Sequence, residues 1–409
     1  MSTTTEETKT PAPGTGHEGQ TFLVGENVYL RTLEESDAEY GMSWMNTHLP
    51  KSTARVEKYI TEEMKEERDT GHLLILRKSD DRPIGSITME RWAHNVWVTP
   101  FIDPLFDEQG ERWLGEAVQL FLPWYIDEHH RVIAHIDMVP DDRRILREML
   151  LEAGARPSGT FRQFYKRGAR FIDAHCYEYL SRQWVETLGD PAEVELPRSG
   201  TGQPRPVIAP VAVDGPLPLN AMRVGPRVYL RPLQKEDAKV IAEWQRKETE
   251  GFWSGGRYLS SHTALETWFR SLQEDEPQEW VRFAVCLRET DEMIGIVGID
   301  GIDYQHRHAE SESEFHRPDY RGGGYGTEAK HLLFDYAFNT LGLHSLQSWV
   351  MFANTRSAAA LRKQGYTDVG REHWLVRQSG RFENFGTYEL LADEWRAMPR
   401  TGAAYPEDS

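Results

Sequence analysis

The alternation of apolar and polar positions sorts this chain into short strands and amphipathic helices. VYLR (228–231) alternates as a strand and leads through an acidic turn into the helical period of DAKVIAEWQRKE (237–248). HTALETWFRSLQ (262–273) predicts a second helix, and FAVCLRE (283–289) and MIGIVGI (293–299) predict two strands joined by a turn. An alternating stretch at 309–320 runs into RGGGYG (321–326), the densest glycine run of the chain, and then a helix over 327–339. SLQSWVMF (345–352) reads as a strand, TRSAAALRKQ (355–364) as a helix, and HWLVRQ (373–378) and ENFGTYEL (383–390) as a final pair of strands. This order predicts a mixed α/β fold whose central sheet is built partly from hairpins, not a regular βαβαβ winding.

The same order occurs earlier in the chain. NVYLRTLEESDA (27–38) returns as RVYLRPLQKEDA (227–238), and Trp44 is matched by Trp244. RPIGSI (82–87) returns as EMIGIV (292–297), LLEAGARPSG (150–159) as LRKQGYTDVG (361–370), and GARF (168–171) as SGRF (379–382). Two copies are too few for a solenoid and predict a duplicated domain, the first at 21–185 and the second at 223–398. Between them, 186–222 is rich in Pro and Gly without helical or alternating period and reads as a linker. The ends, 1–20 and 399–409, read as a disordered and a frayed tail.

A chain of 409 residues suits two or three domains. Its 47 Lys and Arg against 65 Asp and Glu leave a formal charge of −18. That acidity argues against nucleic acid or an anionic membrane as partner and is compatible with a cationic substrate. Cys176 and Cys286 are far apart, have no metal spacing around them, and read as reduced, buried thiols of a cytoplasmic protein. No apolar run approaches the ~18 residues of a membrane span, and MSTTTEETKTPAPGTGHEGQ has no signal-peptide core.

A glycine run that opens a helix brings backbone N–H groups close to an anion. RGGGYG lacks the Gly-Lys-Ser/Thr that ends a P-loop, because Thr327 and Glu328 follow Gly326. Thr327 also stands where the last glycine of a dinucleotide fingerprint belongs. A third reading is Arg-x-x-Gly-x-Gly, made by Arg321, Gly324 and Gly326, a loop for the pyrophosphate of coenzyme A. On this motif alone, a plain helix connection stays open. The surroundings add PDYRGGGYGTEA, a helix ending in AFNTLGLH, and Asn354-x-x-Ser357 before a helix ending in KQGY. Together these resemble the GNAT acetyltransferases, in particular the branch that acetylates ribosomal-protein N-termini. The resemblance covers about 223–398 and extends through the repeat to 21–185.

The resemblance implies acetyl transfer from acetyl-CoA to a primary amine by direct attack in a ternary complex. Arg321, Gly322, Gly323, Gly324, Tyr325, Gly326 and Thr327 would hold the phosphates, and backbone N–H groups near Phe315, His316 and Arg317 would face the oxyanion. An amine attacks only as the free base, so an ammonium must first lose a proton. Alternation puts Glu310, Glu312 and Glu314 on one strand face and Ser311, Ser313 and Phe315 on the other. Family spacing sets the base near Glu312, with Glu310 and Glu314 as alternates; a solvated acidic face is the plainer reading. His306, His308 and His316 share that parity, but same-face neighbours lie ~6.5 Å apart along a strand, and no metal is expected. Leu361 replaces the tyrosine that many relatives use to protonate the departing thiolate. Ser357 takes that place in the resembled branch, with helix capping or packing as the alternative. Asn354 would bond the pantetheine arm or its own helix.

Aligning Glu116-Ala117 with Glu328-Ala329 puts Gln109 opposite Arg321, Arg112 opposite Gly324 and Leu114 opposite Gly326. Side chains then stand where backbone must reach phosphate, and Asp107, Glu108 and Glu111 add negative charge. The first copy is expected to keep the fold and lose coenzyme A. It would serve either as an internal pseudo-dimer partner or offer a cleft near Trp92, Trp97, Trp113 and Trp124, and the chain would be a monomer or a homodimer. The chain thus reads as an acetyl-CoA-dependent N-acetyltransferase with one active site, in its second half, for a protein N-terminus, a polyamine or an aminoglycoside-like amine. A non-catalytic acyl-CoA-binding scaffold, or a transferase using another acyl donor such as aminoacyl-tRNA, is the alternative.

Overall fold

The computed structural model describes residues 16–405 except 48, 93, 196–202, 214, 216–217, 219, 253–256 and 275–276. Of the tails expected at 1–20 and 399–409, residues 1–15 and 406–409 lie outside the described residues, as does the middle of the linker at 196–202, whereas 400–401 form a strand. The chain forms two compact units, one of residues up to 158 with 174–191, the other of 159–173 with residues from 192 onward.

In the first unit β1 (Val28–Thr32) is followed by two short helices, α1 (Gly41–Trp44) and α2 (Thr53–Lys58). An antiparallel meander continues through β2 (Thr70–Arg77), β3 (Arg82–Trp92) and β4 (Asn95–Ile102). Helix α3 (Glu108–Leu122) carries the chain to β5 (Ile133–Pro140), which pairs in parallel with β4. Then come α4 (Arg144–Glu152), β6 (Arg156–Arg167) and β7 (Arg170–Leu180), of which 159–173 belongs to the second unit, and α5 (Arg182–Leu188); β7 pairs antiparallel with β5. A core of Ile84, Val96, Val118, Phe121 and Ile136 lies under α3.

The second unit repeats the plan. After β8 (Val207–Ile208), β9 (Arg223–Val224) and β10 (Val228–Pro232) come α6 (Asp237–Lys247) and α7 (His262–Glu274). The meander β11 (Val281–Leu287), β12 (Met293–Asp303) and β13 (His308–Glu314) leads into α8 (Tyr325–Asp335). The parallel strand β14 (Ser345–Met351) follows, then α9 (Thr355–Lys363), β15 (Thr367–Gln378), β16 (Arg381–Leu391), α10 (Ala392–Ala397) and β17 (Arg400–Thr401). Its strand order is β9-β10-β11-β12-β13-β14-β16-β15. The expected mixed α/β class is thus what the chain forms. Part of the 186–222 stretch is ordered as β8, which pairs in parallel with β17.

The repeated sequence places repeated devices. Arg31 grips Asp37 with two hydrogen bonds of 2.7 and 2.8 Å, and Arg231 grips Asp237 at the same two distances. A bidentate pair of this kind fixes direction as well as contact, and here it ties the first strand to the element after it. Glu116 in α3 accepts the backbone N–H of Asn27 at 2.8 Å, and Glu328 in α8 accepts those of Arg227 at 2.8 Å and Val228 at 3.0 Å. The acidic residue of each helix therefore secures the start of its own first strand. Cys176 and Cys286 are free and buried, and no helix among the described residues is long and apolar enough to cross a membrane.

Candidate active site

The site follows from how β13 is paired. One edge of β13 bonds to β12 along Ile296–Asp300 and Glu310–Glu314, while the parallel ladder to β14 covers only His308–Glu310 and Ser345–Gln347. Beyond Glu310 the backbone of β13 has a partner strand on one side. Helices α8 and α9 follow β13 and β14, so both helix N-termini lie beyond the carboxyl ends of two neighbouring parallel strands, where open sheets bind ligands.

The glycine loop supplies the first of these N-termini. Gly322 and Gly324 have φ of +89° and +80°, a backbone region that a side chain disfavours. A Cβ on Gly326 would lie 3.3 Å from the Phe315 ring, and one on Gly324 would lie 3.1 Å from Tyr405 and 3.3 Å from Arg227. The first turn of α8 leaves backbone N–H groups without intrahelical partners, and together with the helix dipole they fit an anionic phosphate. Arg321 is turned elsewhere: it donates to the Phe315 carbonyl at 2.6 Å and meets Glu250 at 3.1 Å and Glu248 at 3.4 Å. Arg317 pairs with Glu292 and Asp319. Asn354 caps α9, accepting the Ser357 N–H at 3.2 Å, and Leu361 is buried in the core.

On the other side of β13, beneath α6 and α7, is a cavity of about 320 Å³. Glu312 and Glu314 line it together with Glu248, Arg282, His316 and Trp268. Three carboxylates therefore face one guanidinium and one imidazole. Arg282 reaches Glu312 at 2.5 Å and also pairs with Asp300. Burial, then the charge of Asp300, holds the Glu312 carboxyl well above the usual carboxylate range, against the pull of Arg282. Glu310 faces Asp300 across the β12–β13 ladder, and burial followed by Asp300 pushes it up to about 7. His316 bridges Glu248 at 2.9 Å and Glu314 at 3.2 Å. Burial works against its charge, but the bonds and charges of those two carboxylates outweigh it and raise the imidazole.

The other face of β13 meets α8. Lys330 is 2% exposed and donates to Ser311 Oγ at 2.8 Å, and Ser311 meets the Tyr366 hydroxyl at 2.5 Å. Burial lowers Lys330 to about 7 against the attraction of Glu312 and Glu310. His308 does not turn to His316: its ring stacks on Phe164 at 3.8 Å. No group of three or more His, Cys, Asp or Glu among the described residues is placed to hold a metal ion.

Sequence reasoning brought Glu312, Glu314 and His316 to this place but missed Glu248, Arg282, Asp300 and Lys330. Arg282 carried a signal, as the lone charge in VRFAVCL. Lys330 did not, because TEAKHLLF (327–334) also holds Glu328 and His331 and only its burial in α8 sets it apart. A buried charge needs a partner: Arg282 has Asp300 and Glu312, and Lys330 has Ser311.

In the first unit the segment aligned with the glycine loop is not a loop: Gln109, Arg112 and Leu114 lie in the first turns of α3, which starts at Glu108, whereas α8 starts only at Tyr325. Leu114 is 2% exposed in the core, and Glu111, also buried, accepts the N–H groups of Ile145 at 3.0 Å and Leu146 at 3.4 Å. A carboxylate of the chain itself thus meets the start of α4, and Trp113 packs edge-on to Phe106.

Residues 227–367 match the family described as acetyltransferase (GNAT) domain. The chain is 26% identical over 170 residues to the uncharacterized N-acetyltransferase p20 of Bacillus licheniformis, covering 41% of this chain and 95% of that one. It is 27% identical over 178 residues to the probable N-acetyltransferase YjcK of Bacillus subtilis, covering 42% and 97%. Among solved structures, spermidine N-acetyltransferase from Vibrio cholerae, in complex with CoA and spermine, is 22% identical with a TM-score of 0.38, covering 41% of this chain and 98% of that one. The second half of this chain contains a GNAT acetyltransferase domain, and the protein is an N-acetyltransferase that uses acetyl-CoA.

Proposed function

We propose that the second unit acetylates the primary amine of a cationic acceptor seated in the cavity against β13, and that the first unit is a copy of the same domain without a coenzyme site. The carboxylates of the cavity wall carry this reading: Glu248 and Glu314 with His316 between them, and Glu312 paired with Arg282, beside the rings of Trp268 and Tyr258. Carboxylates favour an ammonium over a neutral or anionic acceptor, and aromatic faces attract cations. A cavity of about 320 Å³ suits a polyamine or the first residues of a peptide, such as a ribosomal-protein N-terminus.

Glu314 takes the role of base in this reading. Glu312 is held by Arg282, whereas Glu314 faces the cavity with a bond to His316. The ammonium gives its proton to Glu314, the free amine attacks the acetyl carbonyl, a C–N bond forms, and as the C–S bond breaks the nitrogen sheds a second proton that balances the one the thiolate takes up. The loop 321–327 holds the coenzyme phosphates, and Ser357, in the first turn of α9, is the proposed proton donor to the departing thiolate. Thiol release from acetyl-CoA, measured with spermidine and with a short unblocked peptide, tests the reading. Turnover with either amine is expected. Binding of acetyl-CoA without turnover on any amine would favour the non-catalytic scaffold.

A further inference from the structure

We propose that the acceptor carries a single ammonium beside an aromatic or branched apolar group, and that a polyamine, with its further cations, is the poorer substrate. The proposal rests on the acetyl-transfer reading above and narrows its acceptor.

The cavity is divided in polarity. Its charged groups come from β13, where Glu312 and Glu314 lie, with His316 just beyond it, Glu248 at the end of α6 and Arg282 on β11. The rest of the lining is uncharged. Ile241 comes from α6, Ala264, Leu265 and Trp268 from α7, Ile296 from β12, and Tyr258 from the segment between the two helices. Gln245 and Ser260 complete it, the Gln245 side-chain oxygen accepting the Ser260 N–H at 2.9 Å.

The three carboxylates already have cationic partners in the protein. Glu312 meets Arg282 at 2.5 Å, and Glu248 has His316 at 2.9 Å and Arg321 at 3.4 Å. Glu314 has only the other nitrogen of that imidazole, at 3.2 Å, and its side chain is 26% exposed against 4% for Glu248. The cavity therefore matches the charge of one ammonium, at Glu314. A second ammonium among the apolar residues would lose its hydration without a carboxylate in return. At Trp268 it would also meet a like charge, because the Arg282 guanidinium lies 5.8 Å from that ring centroid. Trp268 is 37% and Tyr258 48% exposed, and open aromatic surface at a cavity is stabilised by an apolar ligand group. In net terms, the ammonium and acetyl-CoA give the N-acetyl amine, the free thiol of coenzyme A and one proton.

The test uses the full chain with acetyl-CoA and, in turn, 2-phenylethylamine, a short peptide that begins with Phe, and spermidine. The better of the first two is expected to exceed spermidine in kcat/KM by at least about 10-fold, because the further ammonium groups of spermidine find no carboxylate. Which of the two is better identifies the source of the group, a free amine or a chain terminus. Trp268→Ala is expected to raise KM for the preferred acceptor about 3- to 10-fold, the worth of an aromatic contact, and KM for spermidine far less. Ala264→Glu, at an exposed position of α7, adds a carboxylate to the apolar wall. It is expected to raise kcat/KM for spermidine about 5-fold, as a partly exposed ion pair does. Calorimetric binding of acetyl-CoA by each variant reports that the domain is folded. A higher kcat/KM for spermidine than for both other acceptors would overturn the proposal and leave acetyl transfer standing, as would an equal effect of Trp268→Ala on all of them. No turnover by the unaltered protein on any acceptor would overturn the reading of the cavity, and the proposal with it.

Discussion

Glu312 and Glu314 lie two positions apart on one strand face, yet one is matched by a guanidinium and the other by an imidazole. Substitution separates their roles. Glu314→Gln is expected to lower kcat by about 10²- to 10⁴-fold, the usual worth of a general base, with acetyl-CoA affinity unaltered in a titration. Glu312→Gln removes one of two acidic partners of Arg282, which has a side chain 5% exposed. It should cost about 1.5–3 kcal/mol of stability, the range for a hydrogen bond to a charged group, read as a lower Tm. Lys330 tests burial directly. The unfolded chain takes up a proton below the ordinary lysine value of 10.5, while the folded chain resists until about 7. Stability is therefore lost as pH falls across that window and levels off below it. Lys330→Met should remove this slope, and unfolding measured at several pH values would show it; an unchanged slope would mean that Lys330 titrates normally.

At the scale of elements, the two segments that the repeat aligns differ: 321–326 is a glycine loop before α8, and 109–114 is helical within α3. Gly324 adopts φ +80° with Tyr405 and Arg227 at the place of a Cβ. Gly324→Arg, which copies Arg112 of the first half, is expected to abolish acetyl-CoA binding in a calorimetric titration. In the other segment Glu111 serves α4 as a cap. Glu111→Gln should lower stability by about 0.5–2 kcal/mol, as loss of a helix cap does, without restoring a coenzyme site, because Leu114 still fills the core position. A gain of acetyl-CoA binding in that variant would overturn the account of the first half.

At the scale of the whole molecule, the prediction is stoichiometric. One acetyl-CoA per chain is expected, all of it lost with Gly324→Arg; two per chain would mean that the first unit also binds the coenzyme. The internal repeat was readable because its anchors lie close in sequence, as in Arg31 with Asp37 and Arg231 with Asp237. The acidic face of β13 was readable from strict alternation, which forces Glu310, Glu312 and Glu314 to one side. Glu248 was not, since it comes from a helix 64 positions before Glu312 (312 − 248) and nothing local marks it.

By itself the sequence determined the local geometry: the strand and helix order, the repeat, and a glycine loop whose backbone conformation side chains disfavour. Each of these depends on neighbours a few residues apart. The tertiary structure alone decided which charges meet. Pairing β11 beside β12 and β12 beside β13 brings Arg282 to Asp300 and Glu312, and the end of α6 brings Glu248 to His316. Whether a carboxylate is matched by a cation, buried, or open to an acceptor depends on such distances, and it is these that give Glu312 and Glu314 their different chemistry.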